Sequence, residues 1–488
     1  MNASTWLQVF GAIAVLAIGS GDTYAQAGKQ GLARRSGAVV PLAPNGSWVW
    51  HTDPVTTWNR DRLFFSYVDS VNNRIMVSSY DPADGRIYPI SFTTQRSKSV
   101  DDHDHPSIAP LPNGNLYFAY CRHGRDRGFF FRHSLVPTPE TLDDVGAEQF
   151  QPIEANTCYT NVYFLKKEAR LHYFGRALDN KPTWLTSTDL GRTWSRPTAW
   201  IIPEHGAVRP YVHYASNGTD RIDMIYTDGH PRDEKNSIYH AYYKDNRFLR
   251  CDGGLIKAAD DLPLEHEKGE KGTFVYRYSE QKWAPGQGPN DWIPHGRAWV
   301  WDLEYDSAGN PVCVFSVQVD APPDAAWTEG RIYYFYAWWN GSTWTRQCIA
   351  HAGNALYKGE DDFAGGICLN PADPSRIYMS SNSARPFDLA TLNVPVIGDD
   401  DYKLYQGTYD REKRRCDWTL FYDSPGNLAI RPFAPAGKGP VDALVWMEGP
   451  NYPNMRNYPT RIVGWFSRGS ATADIERADN PAPASHDE

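Results

Sequence analysis

Short runs of alternating apolar and polar residues, each ended by a tight-turn signal, recur along almost the whole chain. "RLFFSYVDS", "RIMVSSYDPADGRIYPISF", "PSIAPLPNGNLYFAYC" and "RIYYFYAWWNGSTWTRQCI" are examples. Successive side chains of a strand point to opposite faces, so a period of two broken by NG, DG or AGN turns specifies antiparallel hairpins. Almost no stretch carries the period of an amphipathic helix. Roughly two dozen strands are expected between Ser47 and Trp465, in units of roughly fifty to sixty residues that suit four-stranded blades set radially. The expectation is an all-β, single-domain β-propeller of seven blades, with six or eight also fitting the length. A sandwich of so many strands would divide into domains, and no linker divides this one.

One motif supports the blades directly. "STDLGRTW", Ser187 to Trp194, has the Asp-box form S-x-D-x-G-x-T-W. Its Asp side chain braces a tight hairpin, Gly191 supplies the unusual backbone angles, and Trp194 packs between sheets. "WNGSTW" at 339–344 is a weaker form of the same turn. Residues 252–295 break the pattern and read as an insertion.

The chain ends read differently. An apolar run from Trp6 to Ile18 leads to small residues at Thr23 and Ala25, the form of a secretory signal over residues 1–25, although no Lys or Arg precedes the run. The run is shorter than the roughly 20 apolar residues a membrane span needs. The mature chain is therefore expected to be secreted or periplasmic and off the membrane, with the propeller over 26–468. Residues 469–488 are polar, rich in Ala, Asp and Pro, and expected to be a disordered tail. A formal charge of −9 argues against a nucleic-acid partner, while a local basic pocket still has room on an acidic protein. Aromatic residues reach 14%, including 18 Trp and 29 Tyr, which suits both strand packing and stacking on sugar faces. Cysteines 121, 158, 251, 313, 348, 368 and 416 are odd in number and form no CxxC pair, so most are expected to be small buried hydrophobes rather than a disulfide framework.

Groups able to do chemistry concentrate in four stretches. "SVDDHDHPSIAPLPNGNLYFAYCRHG" holds His103, His105 and His123; "TCYTNVYFLKKEARLHYFGR" holds Tyr159, Asn161, His172 and Arg176. "RPYVHYASN" adds Arg209, Tyr211 and His213, and "TDGHPRDEKNSIYHAYY" adds Asp228, His230 and Arg232. A hairpin of about twenty residues brings its two outer ends together. His103 and His123 flank one such hairpin around "PNGN", and Tyr159 and Arg176 flank the next around "KKEAR". Two adjacent blades would then supply base, acid and anion clamp at one end of the ring. Ordinary roles compete at each position. Most strand tyrosines pack, most strand-end arginines pair on the surface, and histidines in a "DDHDH" loop can simply be solvated. His and Asp also suit zinc or calcium, but "HDH" alone is too short to specify a metal. No carboxylate pair stands out, which argues against a glycosidase.

"DDHDHPSI", "CRHG", "RPYVHYASNGTDRIDMIYTDGHPRDEKNSIYHAYY", "RAWVWDLEYDSAGNPV" and "FAGGICLNPADPSRIYMS" resemble the BNR-repeat propellers that include ulvan lyases of polysaccharide lyase families 24 and 25. The similarity spans roughly residues 45–467, and "TDGHPR…NSIY" is its most specific piece. It implies a seven-bladed propeller that cleaves ulvan, an anionic algal polymer of sulfated rhamnose and uronic acid, by β-elimination at the uronate. It implies catalytic roles for His103, His123, Tyr159 and Arg176, although "TCYTN" departs from the family's Tyr-Pro-Asn form. His103 reads as base, Tyr159 as acid, Arg176 as carboxylate clamp and His123 as an orienting group; Tyr159 acting as both base and acid is the alternative. Arg209, Tyr211 and Arg431 are candidates for binding sulfate or carboxylate. A structural zinc is implied, placed among His230, His295 and His351, with no organic cofactor and a monomeric chain. The rivals are a lyase on another uronate polymer, a sialidase-like hydrolase, whose arginine triad and Tyr/Glu pair cannot be assembled here, and a non-catalytic carbohydrate-binding propeller.

Overall fold

The computed structural model, which describes residues 37–69, 71–92, 101–204, 209–284, 287–321, 331–356, 359–390 and 394–467, holds seven main sheets in chain order and one small parallel pair, Ile201–Ile202 with Leu264–Glu265. The innermost strands are Thr56–Asn59, Ser107–Pro110, Cys158–Leu165, Val212–Ser216, Arg297–Tyr305, Ile367–Asn370 and Leu428–Phe433. Each leads outward through antiparallel neighbours, giving blades 1 to 7 of a β-propeller, as expected. Among the described residues the only helices are single turns of 3-10 type, and no helix is long and apolar enough to cross a membrane. The expected signal segment and polar tail lie outside the described residues.

Ring closure is made by strand pairing. Gly37–Ala43 runs antiparallel to Arg461–Ser467 and forms the outer strand of blade 7, whose other three strands come from residues 428–467. The first described residues and the last thus share one hydrogen-bonded sheet, which leaves no blade to close the ring through a loop alone. The stretch expected to be an insertion is partly sheet. Leu255–Ala258 pairs with Arg247–Leu249, and Thr273–Tyr276 pairs with Ile238–Lys244, so blade 4 carries six strands.

The turn chemistry follows the motif reading. Asp189 Oδ1 accepts the backbone N–H of Arg192 (3.0 Å) and Thr193 (2.9 Å), and Gly191 adopts φ +82°. A Cβ on Gly191 would meet the Tyr117 ring at 2.4 Å, so glycine is needed for space as well as angle. Trp194 lies edge-on to Phe129 and Tyr173. In the weaker box Asn340 takes the place of the Asp, accepting from Ser342 N and Thr343 N. All seven cysteines are free thiols.

Aromatic rings fill the axis. Trp50 stacks on Trp301 at 3.8 Å and meets Trp299 and Phe363 edge-on, all four fully or nearly fully buried. Truncating any one of these rings would cost roughly 3–5 kcal/mol. This packed plug gives the polar groups at the openings of the inner strands a rigid floor.

Candidate functional site

Tyr159 and Arg176 sit at matching ends of one hairpin. Cys158 faces Arg176 in the register of Cys158–Leu165 against Arg170–Arg176, and the turn between them closes through Ala169 N–H to Lys166 O. The register slips between Cys158 and Asn161, and Tyr159 is carried there at φ +61°. A left-handed tyrosine costs about 1–3 kcal/mol unless its surroundings hold it, and such strain gathers at working sites. Here Tyr173 Oη donates to Tyr159 O at 3.2 Å, and a Cβ on Gly175 would stand 3.0 Å from that same carbonyl. Gly175 is what lets the strained backbone in.

The neighbouring blade supplies the histidines. His103 lies in a single 3-10 turn, Asp102–Asp104, capped by Asp101, whose side chain accepts His103 N–H. His103 Nδ1 donates to Asp101 Oδ1 at 2.5 Å and lies 2.5 Å from Asp102 Oδ1. Burial works against a charged imidazole, but these two carboxylates outweigh it and hold His103 well above the ordinary histidine value. These carboxylates favour the protonated form of His103, which bears on its expected role as base. His123, across the "PNGN" hairpin, stacks on it at 4.2 Å; its backbone N–H donates to Asp104 Oδ1 at 2.7 Å. Its Nδ1 lies 3.4 Å from Asp101 Oδ2. Burial and the charge of His103 oppose its protonation, yet Asp101 and the Cys158 thiol raise it above its ordinary value.

The two blades meet at Tyr159. Its ring lies 5.7 Å from His103, 5.9 Å from His123 and 6.1 Å from Tyr211. The Arg176 guanidinium lies over Tyr159 (4.8 Å) and Tyr211 (5.0 Å), buried, with Nε and Nη1 lacking any hydrogen-bond partner. Burial pushes the Tyr159 hydroxyl well above its usual value despite Arg176 beside it, so it rests as a phenol. Tyr159, Arg176 and Tyr211 line a small cavity of about 20 Å³ together with Asn161, Pro210 and His51. His51 and Cys158 were missed by sequence reasoning. His51 belongs to no motif, though "WVWHTD" does place one imidazole inside an otherwise aromatic run, and Cys158 sits in "TCYTN" but reads there as a small buried hydrophobe.

Other candidates go elsewhere. Arg431 is fully buried beneath the site, donating to Asp102 Oδ2 at 2.7 Å and to Trp48 O, so it props the histidine loop and does not face a substrate. Arg209 is part-exposed and reaches Asp233 at 3.5 Å. Only Tyr211 of the three binding candidates lines the cavity. His105 is buried, bonded to Val49 O and Ser66. His172 accepts from Trp184 Nε1, and Asp228 accepts from Ser237 N and Tyr239.

The three histidines expected to share a metal are not brought together. His295 is exposed beside Tyr278, and His351 bonds to Asp388 O at 2.8 Å. His230 instead meets Glu360 and Asp362 from the segment leading into blade 6. That group fits a cation. His230 Nδ1 accepts the backbone N–H of Arg232 at 3.1 Å while lying 3.0 Å from Asp362 Oδ2, which sets lone pair against lone pair. Asp362 is buried with neither oxygen hydrogen-bonded. One imidazole and two carboxylates around an orphaned oxygen suit a divalent ion. Asp101, His103 and His123 are likewise close enough to share an ion, but their own Asp–His bonds already satisfy them.

A second, larger cavity of about 300 Å³ opens at the far ends of the inner strands, lined by Asp53, His213, Asp302 and Glu304 without any Lys or Arg. Its carboxyls would repel a polyanion. The Arg176 cleft instead offers a buried guanidinium with two unpartnered nitrogens.

Comparison with known proteins agrees with this architecture. A polysaccharide lyase of family 25, an ulvan lyase bound to -[GlcA(1-4)Rha3S]-, is similar at 13% identity and TM-score 0.60, covering 91% of this chain and 100% of that one. The same family's ulvan lyase described without ligand is 12% identical at TM-score 0.61, with the same coverage. The polysaccharide lyase Uly1 is 10% identical at TM-score 0.51, covering 91% and 95%. At such identities the likeness is one of fold. No curated protein matches the chain. The model of the BNR repeat-containing family matches residues 62–352, more than half of the sequence and blades 1 to 5 of the propeller, and the chain belongs to that family.

Proposed function

We propose that this protein is a secreted polysaccharide lyase that cleaves ulvan by β-elimination at its uronate. The observation that carries the reading is the buried Arg176 fork, its Nε and Nη1 unpartnered in a cleft walled by Tyr159 and Tyr211. A guanidinium so placed matches a carboxylate in two-pronged geometry. Elimination needs that clamp, because removing the C5 proton next to an ionised carboxylate builds negative charge that only fixed positive charge can offset. Arg176 and the His103 imidazolium provide it.

The remaining roles follow from protonation. Tyr159 rests as a phenol and delivers its proton to the departing O4. His123, oriented by Asp101 as the histidine of a catalytic triad is oriented by its carboxylate, takes the C5 proton once it is neutral. The C5–H electron pair becomes the C4–C5 double bond, the C4–O4 bond breaks, and an unsaturated uronyl end remains. Zinc at His230, Glu360 and Asp362 would serve structure: the group stands beside Tyr211, whose ring is 5.3 Å from His230, and would fix that wall of the cleft. The likeness to lyases supports the reading, and the acidic far cavity supports the choice of cleft.

The test is ultraviolet absorbance of the new double bond while mature protein acts on ulvan. A rise abolished by Arg176→Ala supports both reaction and site. Reducing ends without absorbance would mean hydrolysis, and binding without product a carbohydrate-binding module.

A further inference from the structure

His51 is 3% exposed, yet neither of its ring nitrogens has a hydrogen-bond partner. Four aromatic rings enclose it: Trp50 at 4.5 Å, Tyr211 at 4.7 Å, Tyr159 at 5.2 Å and Trp299 at 5.3 Å. Phenylalanine would fill that box without a polar group to leave unsatisfied. Buried polar atoms are nearly always paired, and an orphaned one destabilises the fold, so a histidine here calls for a partner. Beside this aromatic enclosure, His51 lines the cavity it shares with Tyr159, Asn161, Arg176 and Tyr211. Its backbone is pinned there, since Asn161 Nδ2 donates to His51 O at 3.3 Å. Two groups with unmet hydrogen-bonding capacity, the His51 ring and the Arg176 fork, therefore line one small space.

We infer that His51 contacts the uronate directly, donating from one ring nitrogen to the carboxylate that Arg176 holds and accepting a sugar hydroxyl at the other. A neutral imidazole offers one donor and one acceptor, which matches a carboxylate next to a ring hydroxyl. Burial above all, with the charges of His103 and Arg176 beside it, keeps the ring neutral. The inference rests on the lyase reading for its substrate, but its observation is independent of the His103–His123 pair.

The experiment compares His51→Phe and His51→Gln with wild type. The Phe variant is expected to melt at the same temperature or higher, having lost two unsatisfied nitrogens. Its kcat/KM on ulvan should fall by about tenfold or more, mainly through KM, and Gln should recover part of the loss. A merely structural histidine would move neither constant in the Phe variant, and wild-type kinetics there would overturn the inference while leaving the lyase standing. If wild type fails to cleave ulvan, the lyase reading fails first. Sodium glucuronate then serves as probe, with the His51 ring proton signal identified by its disappearance in the Phe variant. A shift of that signal on titration supports the contact, and an unmoved signal overturns it.

Discussion

His103 and His123 lie ring on ring, 4.2 Å apart and 9° from parallel, and one carboxylate, Asp101, reaches both. Two stacked imidazoles cannot both carry a proton cheaply, so the pair titrates as a unit. Geometry settles which is charged first. Asp101 and Asp102 each lie 2.5 Å from His103 Nδ1, whereas His123 sees Asp101 at 3.4 Å and is the more exposed, at 23%. The inner ring holds charge and the outer ring is left to exchange it.

Stability and activity should therefore run in opposite directions with pH. His103 is raised in the folded state, so its contribution is complete below the unfolded value of about 6.5 and is lost as pH rises through the folded value. Burial opposes the ionisation of Asp101 but His103 overcomes it, so its contribution is present above about 3.8 and is lost only as pH falls through its much lower folded value. Urea unfolding should show a plateau from about pH 4 to 6.5 and a decline toward alkaline pH. kcat/KM should instead climb there as His123 becomes neutral. In Asp101→Asn the plateau should drop by roughly 3–5 kcal/mol, because a buried charge loses its partner. A wild-type plateau extending unchanged to pH 10 would contradict the assignment of charge to His103.

Arg176→Lys should retain the fold and lose the reaction. An ammonium keeps the charge without the fork, and Nε and Nη1 make no hydrogen bond within the fold that lysine would forfeit. kcat/KM on a uronate polymer is expected to fall about 10²- to 10³-fold, with the melting temperature unchanged or raised. Equal loss of stability and activity would make Arg176 a structural residue.

Tyr159→Phe separates the two proton transfers. If Tyr159 only donates to O4, kcat should fall about 10²- to 10⁴-fold while solvent exchange at C5 of bound substrate, followed by deuterium incorporation, persists. His123→Ala should abolish that exchange. Exchange lost in Tyr159→Phe but kept in His123→Ala would mean that the tyrosine is both base and acid.

The purified chain should hold one divalent ion at His230, Glu360 and Asp362, measurable by elemental analysis. Removing it should lower the melting temperature, with tenfold more free ion restoring about 1.4 kcal/mol near saturation. Asp362→Asn should abolish binding and be insensitive to chelator. An ion that persists in Asp362→Asn places the metal elsewhere.

What could be read from sequence was what hairpin geometry dictates. Asn113–Gly114 and the Lys166–Ala169 turn set registers that bring His103 to His123 and Cys158 to Arg176, and local turn chemistry is written in adjacent residues. His51 was not legible, because it precedes blade 1 and reaches the cleft only when the ring closes. The metal group failed for a like reason. His230 finds its carboxylates more than a hundred residues away, at the entry to blade 6, while His295 and His351 were chosen by residue type alone. The local field was illegible too: nothing in "DDHDH" says that two of its aspartates fold onto one imidazole.

Cys158 gives the last prediction. Burial opposes ionisation of its thiol, but the hydrogen bond with His123 and the charge of Arg176 outweigh it and bring the thiol down to about 6. Its neighbour Cys121, buried without such partners, is pushed well above its usual value. A thiolate is the reactive form, so Cys158 should be the thiol that alkylates first, entering through the mouth where His123 is exposed. Iodoacetamide is expected to inactivate the enzyme at neutral pH, more slowly at pH 5, and a bound uronate oligosaccharide should protect. Peptide mapping should find the label on Cys158 ahead of the other six cysteines. Cys158→Ser should stay active and resist the reagent. Inactivation of that variant at the wild-type rate would show that the sensitive thiol is a different one and that the His123–Arg176 pair does not hold a thiolate between them.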